Sequence, residues 1–217
     1  MIMFKNREDA GKKLARALRD YKDKGVLVLG IARGGAIVGY EVAKDLNADF
    51  SIIISRKLPF PGNPEFGFGA VAEDGSSFII GEYEELLPRT LVDKIIGEQK
   101  SEITRRILAL RKGEGLPEIK GRTVIIVDDG IAMGSTLRAA ILLCKNRKAQ
   151  KIIAASPVSG EGIDKELLDI VDEAVILEKP AFFKAVAQGY QDWHDVPDEE
   201  VTEIIKKWKT HGKNLEF

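Results

Sequence analysis

Cysteine is almost missing from this chain: Cys144 is the single one in 217 residues. An internal disulfide and any cysteine-based metal cluster are thereby excluded, and a reducing cytoplasm is the simplest compartment. Histidine is nearly as scarce, with only His194 and His211. The stretch Asp192-Trp193-His194-Asp195 lacks the spacing of a known metal-ligand set. No apolar run approaches the roughly 20 residues that a membrane span requires. Neither sign of charge dominates, because 33 Lys and Arg are interspersed among 34 Asp and Glu for a net charge of −1. That balance argues against a nucleic-acid or membrane-surface partner recruited through bulk charge. The opening residues, MIMFKNREDAGKK, turn charged before an apolar segment develops, which predicts no secretory signal. The sequence has no G-x-S-x-G elbow, no Walker loop, no internal repeat and no low-complexity tract.

What is present alternates. Asn6 is placed to cap a helix running to about Tyr21, with Leu14 and Leu18 on one face. VLVLG (Val26 to Gly30) is a short apolar strand of the kind buried on both faces, and a helix follows from Ala36. FSIIIS (Phe50 to Ser55) is the next strand. A long Pro- and Gly-rich interruption comes after it, then a short strand near Ser77 and a helix from about Leu91 to Leu110. Further strands are expected at Val124, at KIIAASPV and at AVIL, with helices between them and an amphipathic helix after Asp198. This order predicts an α/β fold, a mostly parallel twisted sheet with helices on both faces. Such sheets bind ligands at the carboxyl ends of their strands, so the turns after Leu29, Ser55, Val127 and Val158 should meet at one cleft.

The segment VIIVDDGIAMGST, Val124 to Thr136, carries the most chemistry. An apolar strand runs into the carboxylates Asp128 and Asp129. The small-residue turn Gly130-Ile131-Ala132-Met133-Gly134-Ser135-Thr136 then leads into a helix. The helix start supplies oriented amides and a partial positive charge for an anion. Ionised carboxylates are acceptors only, which suits a pair of sugar hydroxyls. Acidic pairs also occur at strand ends as plain solvated turn residues. The phosphate-type loop beside this one favours a binding role. Gly30-Ile31-Ala32-Arg33-Gly34-Gly35 can present successive N–H groups to an anion, with Arg33 adding a forked cation; the alternative is a tight turn that glycine merely fits. Its spacing does not match the dinucleotide pattern G-x-G-x-x-G.

The Val124–Thr136 segment resembles the 5-phosphoribosyl-1-pyrophosphate (PRPP) motif of the type I phosphoribosyltransferases. The resemblance rests on the apolar strand, the acid pair, Ala132, Gly134 and Thr136. It departs at Met133, where the family usually carries Thr or Ser, and at Gly130, more often a branched apolar residue. Across the chain, the pattern RGG, then RK followed by PGNPE, then VDDG looks closest to a group of poorly characterised predicted phosphoribosyltransferases. The resemblance implies a single domain over 1–217, with 56–69 as a flexible loop and 176–217 as a hood or C-terminal subdomain.

By the same resemblance PRPP is held with its 5-phosphate on the Gly130 to Thr136 amides and its ribose hydroxyls on Asp128 and Asp129. The pyrophosphate falls to Ala32, Arg33, Gly34, Gly35, Arg56 and Lys57. The family often has a cis peptide in the first of these loops, here between Ala32 and Arg33. The 56–69 segment reads either as a disordered surface excursion or as a lid that carries Arg56 and Lys57 over the site, and the family's mobile loop at this point favours the lid. Asp128, Asp129, Arg33 and Lys57 are the expected catalytic residues. Mg²⁺ is expected to arrive on the pyrophosphate, with no site made by protein alone. Phe183 or Trp193 is the candidate ring for a heterocyclic acceptor. Hypoxanthine–guanine enzymes place an Asp base where this chain has Ala132, which argues against a 6-oxopurine acceptor of the usual kind. Arg105 and Arg106 read as a solvated helix face, the second within possible reach of a neighbouring subunit. The implied protein is a cytoplasmic homodimer of nucleotide metabolism that transfers phosphoribosyl groups to a nucleobase-like nitrogen. The alternative is a PRPP-binding regulator without turnover, against which the balanced charge and the lack of a helix-turn-helix segment weigh.

Overall fold

The short apolar runs become one parallel sheet in the computed structural model, which describes residues 3–212. The chain enters through α1 (Arg7–Ala17), β1 (Leu27–Ile31), α2 (Gly34–Leu46) and β2 (Asp49–Ile53). It continues through β3 (Ser55–Phe60), β4 (Asn63–Ala72), β5 (Ser77–Ile79), α3 (Gly81–Leu86) and α4 (Arg89–Arg111). The last half holds β6 (Thr123–Val127), α5 (Ser135–Asn146), β7 (Lys151–Val158), α6 (Ile163–Leu168), β8 (Glu173–Glu178) and α7 (Asp198–Gly212). As expected, Asn6 caps α1, its Oδ1 accepting from the Asp9 amide at 2.9 Å.

The main sheet has the order β2-β1-β6-β7-β8, and its pairings are parallel. Side chains alternate between its faces: Leu27, Leu29, Val124 and Ile126 pack with α5, while Val28, Ile125 and Val127 pack with α1 and α2. Burial on both faces explains why these strands read as continuous apolar runs. The chain leaves β1 in one direction along the sheet to β2 and resumes on its other side at β6. The switch point, where ligands bind in such sheets, therefore lies between the carboxyl ends of β1 and β6.

The interval expected to be a flexible loop, 56–69, is instead a β-hairpin. Strands β3 and β4 pair antiparallel, and β5 joins them in a second, three-stranded sheet. Its inward residues Leu58 and Phe68 are fully buried. The hairpin is clasped between α4 on one side and α5 on the other. Proline and glycine hid these strands because each sits where the ladder tolerates it. Pro59 lies at two register shifts, and Gly67 gives way to Lys57, whose Cγ would lie 2.4 Å from a Cβ there. The helix α3 was not expected either.

The 176–217 segment divides structurally. Residues up to Glu178 are the edge strand β8, and α7 packs against α2 and α4 as part of the helical layer. Between them lies an irregular stretch with a short 3-10 turn at Val186–Gly189. The start of the chain is sewn into it: Phe4 bridges Tyr190, and the Met3 and Phe4 amides both donate to the Gly189 carbonyl. Residues 1–2 and 213–217, included in the expected domain and hood, lie outside the described residues.

Candidate functional site

Two turns face each other across the switch point. The first, after β1, needs its glycines for close backbone approach. A Cβ on Gly30 would meet the Gly35 carbonyl oxygen at 2.6 Å, and one on Gly35 would meet the Val127 carbonyl oxygen at 2.5 Å. The tight-turn reading of these glycines is thus correct as far as it goes. The turn also carries the expected cis peptide between Ala32 and Arg33.

The second turn, after β6, runs from Asp128 to the start of α5. It is stapled to the end of β7, with the Ile131 amide donating to the Val158 carbonyl at 2.9 Å and the Gly160 amide to the Ile131 carbonyl at 3.0 Å. Ser55 Oγ donates to the Thr136 carbonyl at 3.0 Å and so ties the hairpin base to the same loop. Gly134 takes φ 74°, a left-handed turn that opens the first amides of α5. A cavity of about 250 Å³ lies here, walled by Asp128, Gly130 to Thr136, Lys57, Gly67 and Val186. Met133 is 48% exposed and puts a thioether in this wall, beside Ser135 and Thr136. The departure at Gly130 has a steric reason. A Cβ there would fall 2.3 Å from Val186 Cγ1, whose side chain fills the space.

The acid pair is split by its surroundings. Asp128 faces the 250 Å³ cavity, and its Oδ1 accepts from the Asp129 amide at 3.0 Å. Burial, followed by repulsion from Asp129, pushes its carboxyl well above the usual carboxylate range. Asp129 turns the other way and pairs with Arg7 of α1, Nε to Oδ2 at 2.7 Å, both side chains largely buried. Tyr190 donates its hydroxyl to the Asp129 carbonyl. Arg7 did not figure among the expected site residues. It lies 122 positions from its partner and looks like an ordinary first-turn helix residue, so no local signal marks it.

A second cavity of about 470 Å³ opens beside the first turn. Its wall holds Ala32, Arg33 and Gly34, together with Arg56 and Lys57 from β3, Arg7, Gln99 and Arg106. The expected pyrophosphate residues Ala32, Arg33, Gly34, Arg56 and Lys57 are therefore gathered together, while Gly35 packs on the β6 end. Arg106 corrects the expectation of a solvated face. It is only 12% exposed, pairs with Glu102 at 3.1 Å and points its helix face to this cavity. Arg105 is the outward member, paired with Glu102 and Asp198. Arg56 donates to Gln99 at 3.1 Å, and burial together with repulsion from Arg106 lowers its guanidinium below the ordinary value. Lys57 lines both cavities and so stands at their junction.

Neither candidate acceptor ring is in either wall. Phe183 packs with Phe4, Val158 and Tyr190, and the Trp193 ring carries the Arg7 guanidinium 3.8 Å from its centroid. Among the described residues, no group of three His, Cys, Asp or Glu is placed to hold a metal by itself. Asp128 is a hard oxygen donor in the cavity wall, and Mg²⁺ commonly takes one or two carboxylates while keeping waters and substrate oxygens. The donor set fits an ion shared with a phosphorylated ligand.

The sequence model of a family described as "phosphoribosyl transferase domain" matches residues 4–188. Two proteins of Mycobacterium tuberculosis strains, named provisionally as phosphoribosyl transferases, are each 37% identical over 209 residues. The match covers 95% of this chain and 47% of each relative, so the chain spans about half their length. The crystal structure of TT1426 from Thermus thermophilus superposes with a TM-score of 0.81 at 32% identity. It covers 95% of this chain and 99% of that one.

Proposed function

Since the chain belongs to the phosphoribosyl transferase family, we propose that it transfers the 5-phosphoribosyl group of PRPP to a nitrogen nucleophile, a nucleobase or related heterocycle, and releases pyrophosphate. One observation carries this reading. An amide cradle at the start of α5 and a cation-lined cavity at the end of β1 flank the Asp128–Asp129 turn and meet at Lys57. That order suits a sugar with phosphate at one end and diphosphate at the other.

In this account the 5-phosphate takes amides of the Gly130 to Thr136 turn other than that of Ile131, which is committed to the Val158 carbonyl, and the ribose hydroxyls take the acid pair. The diphosphate enters the cavity of Arg33, Arg56 and Lys57. As the bond from the anomeric carbon to the diphosphate lengthens, positive charge grows on the ring and negative charge on the leaving oxygen. Arg33 and Lys57 stabilise the leaving group, and the nearby carboxylates stabilise the ring. A ring nitrogen of the acceptor then bonds to the anomeric carbon, and its proton passes to solvent. No covalent enzyme intermediate is needed. Mg²⁺ arriving with the diphosphate could take Asp128 as an oxygen donor and would supply further charge neutralisation. The β3–β4 hairpin holds Arg56 and Lys57 near its base, in the cavity wall, and its tip beyond Phe60 is the element proposed to close over the site. Phe183 and Trp193, the rings expected at the acceptor, line neither cavity, so this reading assigns the acceptor no ring partner. A cytoplasmic homodimer in nucleotide metabolism is the setting this reading implies.

A second reading, a PRPP-binding regulator without turnover, draws on the exposed Met133 in the cradle. Incubation with PRPP, Mg²⁺ and a panel of purine and pyrimidine bases, followed by pyrophosphate release, separates the two. Release with one base supports the transferase. Binding of PRPP with no release for any base supports the regulator.

A further inference from the structure

Arg7 is held more tightly than an ion pair needs. Its side chain is 4% exposed, with Nε on Asp129 at 2.7 Å, Nη1 on the His194 carbonyl at 2.9 Å and one face on Trp193 at 3.8 Å. Three sides of the guanidinium are thus fixed by two distant parts of the chain, the β6 turn and the Trp193–His194 segment. The remaining nitrogen, Nη2, has no hydrogen-bond partner among the described residues, and Arg7 forms part of the wall of the 470 Å³ cavity beside Arg33 and Gly34. A guanidinium with no rotamer freedom left and one open N–H edge is a preorganised anion donor, because little entropy is lost when it binds. Asp129 lies directly under the same turn: a Cβ on Gly34 would fall 1.8 Å from its Oδ2.

We propose that Arg7 is a ligand of the diphosphate, delivered by the N-terminal helix, and that Asp129 serves to aim it, leaving the ribose diol mainly to Asp128. The inference rests on the PRPP reading above and divides the acid pair in a way that reading does not. It also gives the buried pair a purpose. A buried salt bridge contributes little net stability, but it fixes the guanidinium where an incoming diphosphate needs it.

The test titrates two probes separately by calorimetry, Mg²⁺-pyrophosphate and ribose 5-phosphate. Arg7→Gln is expected to weaken pyrophosphate by about 10- to 100-fold, the range for a lost charge-assisted hydrogen bond. Ribose 5-phosphate should stay within about twofold, since Arg7 touches neither the phosphate-side turn nor Asp128, to which this inference mainly assigns the diol. Arg7→Gln leaves Asp129 buried without its partner, so the double variant Arg7→Gln with Asp129→Asn guards against a folding defect. It should fold and still bind pyrophosphate weakly. Recovery of pyrophosphate affinity in the double variant would mean Arg7 only neutralises Asp129, and the proposal would fall. Parallel loss of both probes in a folded Arg7→Gln protein, or no loss of pyrophosphate, would overturn it equally. A wild-type protein that binds ribose 5-phosphate but not pyrophosphate also contradicts it while sparing the phosphate loop. Binding of neither probe would remove the PRPP reading itself.

Discussion

Replacing Gly34 by Ala should do more harm than its position suggests. Gly34 is the first residue of α2, where Ala would ordinarily gain up to about 1 kcal/mol in helix propensity. Its new Cβ, however, would sit 1.8 Å from Asp129 Oδ2 and 2.4 Å from Asp129 Cγ. The carboxylate must retreat by roughly 1.2 Å to reach even the 3.0 Å that Cβ contacts require. A free side chain would simply swing away, but this one is pinned by buried Arg7 at 2.7 Å. Separating that pair leaves two charges poorly matched in a dry site. The outright removal of one partner from such a pair costs about 3–5 kcal/mol, so partial separation should cost about 1–3 kcal/mol. For a chain of this size that lowers the melting temperature by roughly 2–12 °C. The assay is a double-mutant cycle in thermal unfolding, Gly34→Ala with and without Asp129→Ala. With the carboxylate gone, Gly34→Ala should be neutral or stabilising, giving a coupling of at least about 1 kcal/mol. Equal effects of Gly34→Ala in both backgrounds would refute the reasoning.

Other expectations follow from burial and charge. Glu73 and Arg111, 5% and 4% exposed, tie the β4 end to the α4 end; Glu73→Leu strands the guanidinium and should cost about 3–5 kcal/mol in urea unfolding. A loss below about 1 kcal/mol would show that the pair is relaxed by water. Burial pushes the Cys144 thiol up to about 12, so the native protein should resist a thiol reagent at pH 8 and react only on unfolding. Fast labelling of folded protein would contradict its place in the core. Asp128 sits above its unfolded value, so its folded form gains stability as pH falls and loses it as pH rises through the raised value. Ribose hydroxyls favour the ionised form, so PRPP binding should release a proton and tighten with rising pH until Asp128 is ionised. Asp129→Asn removes the neighbouring charge and should move that limb to lower pH. Calorimetry in buffers of different ionisation heat reads both effects.

The main sheet was legible because strands buried on both faces must be apolar throughout, as in Leu27–Ile31 and Val124–Val127. The Asp128–Thr136 turn was legible for a related reason: acid pair, small residues and helix start are contiguous in sequence. Strands β3 and β4 were not, since Pro59, Gly67 and Gly69 are local exceptions that the ladder absorbs through register shifts and close contacts. Arg106 was misjudged because α4 has a mixed surface, and only the hairpin packed on it shows which face turns inward. Arg7 was out of reach altogether. Its role is set by the return of the chain past Trp193 and His194, a contact across nearly the whole length of the sequence.

The central claim is that the two cavities form one PRPP site. The most direct measurement is a calorimetric titration of PRPP with Mg²⁺ into the wild-type protein and into Asp128→Asn with Asp129→Asn. The account predicts saturable one-to-one binding by the wild type and a loss of at least about tenfold in the double variant, in line with charged hydrogen-bond acceptors removed from a buried diol site. Absence of wild-type binding, or affinity unchanged in the double variant, would contradict it.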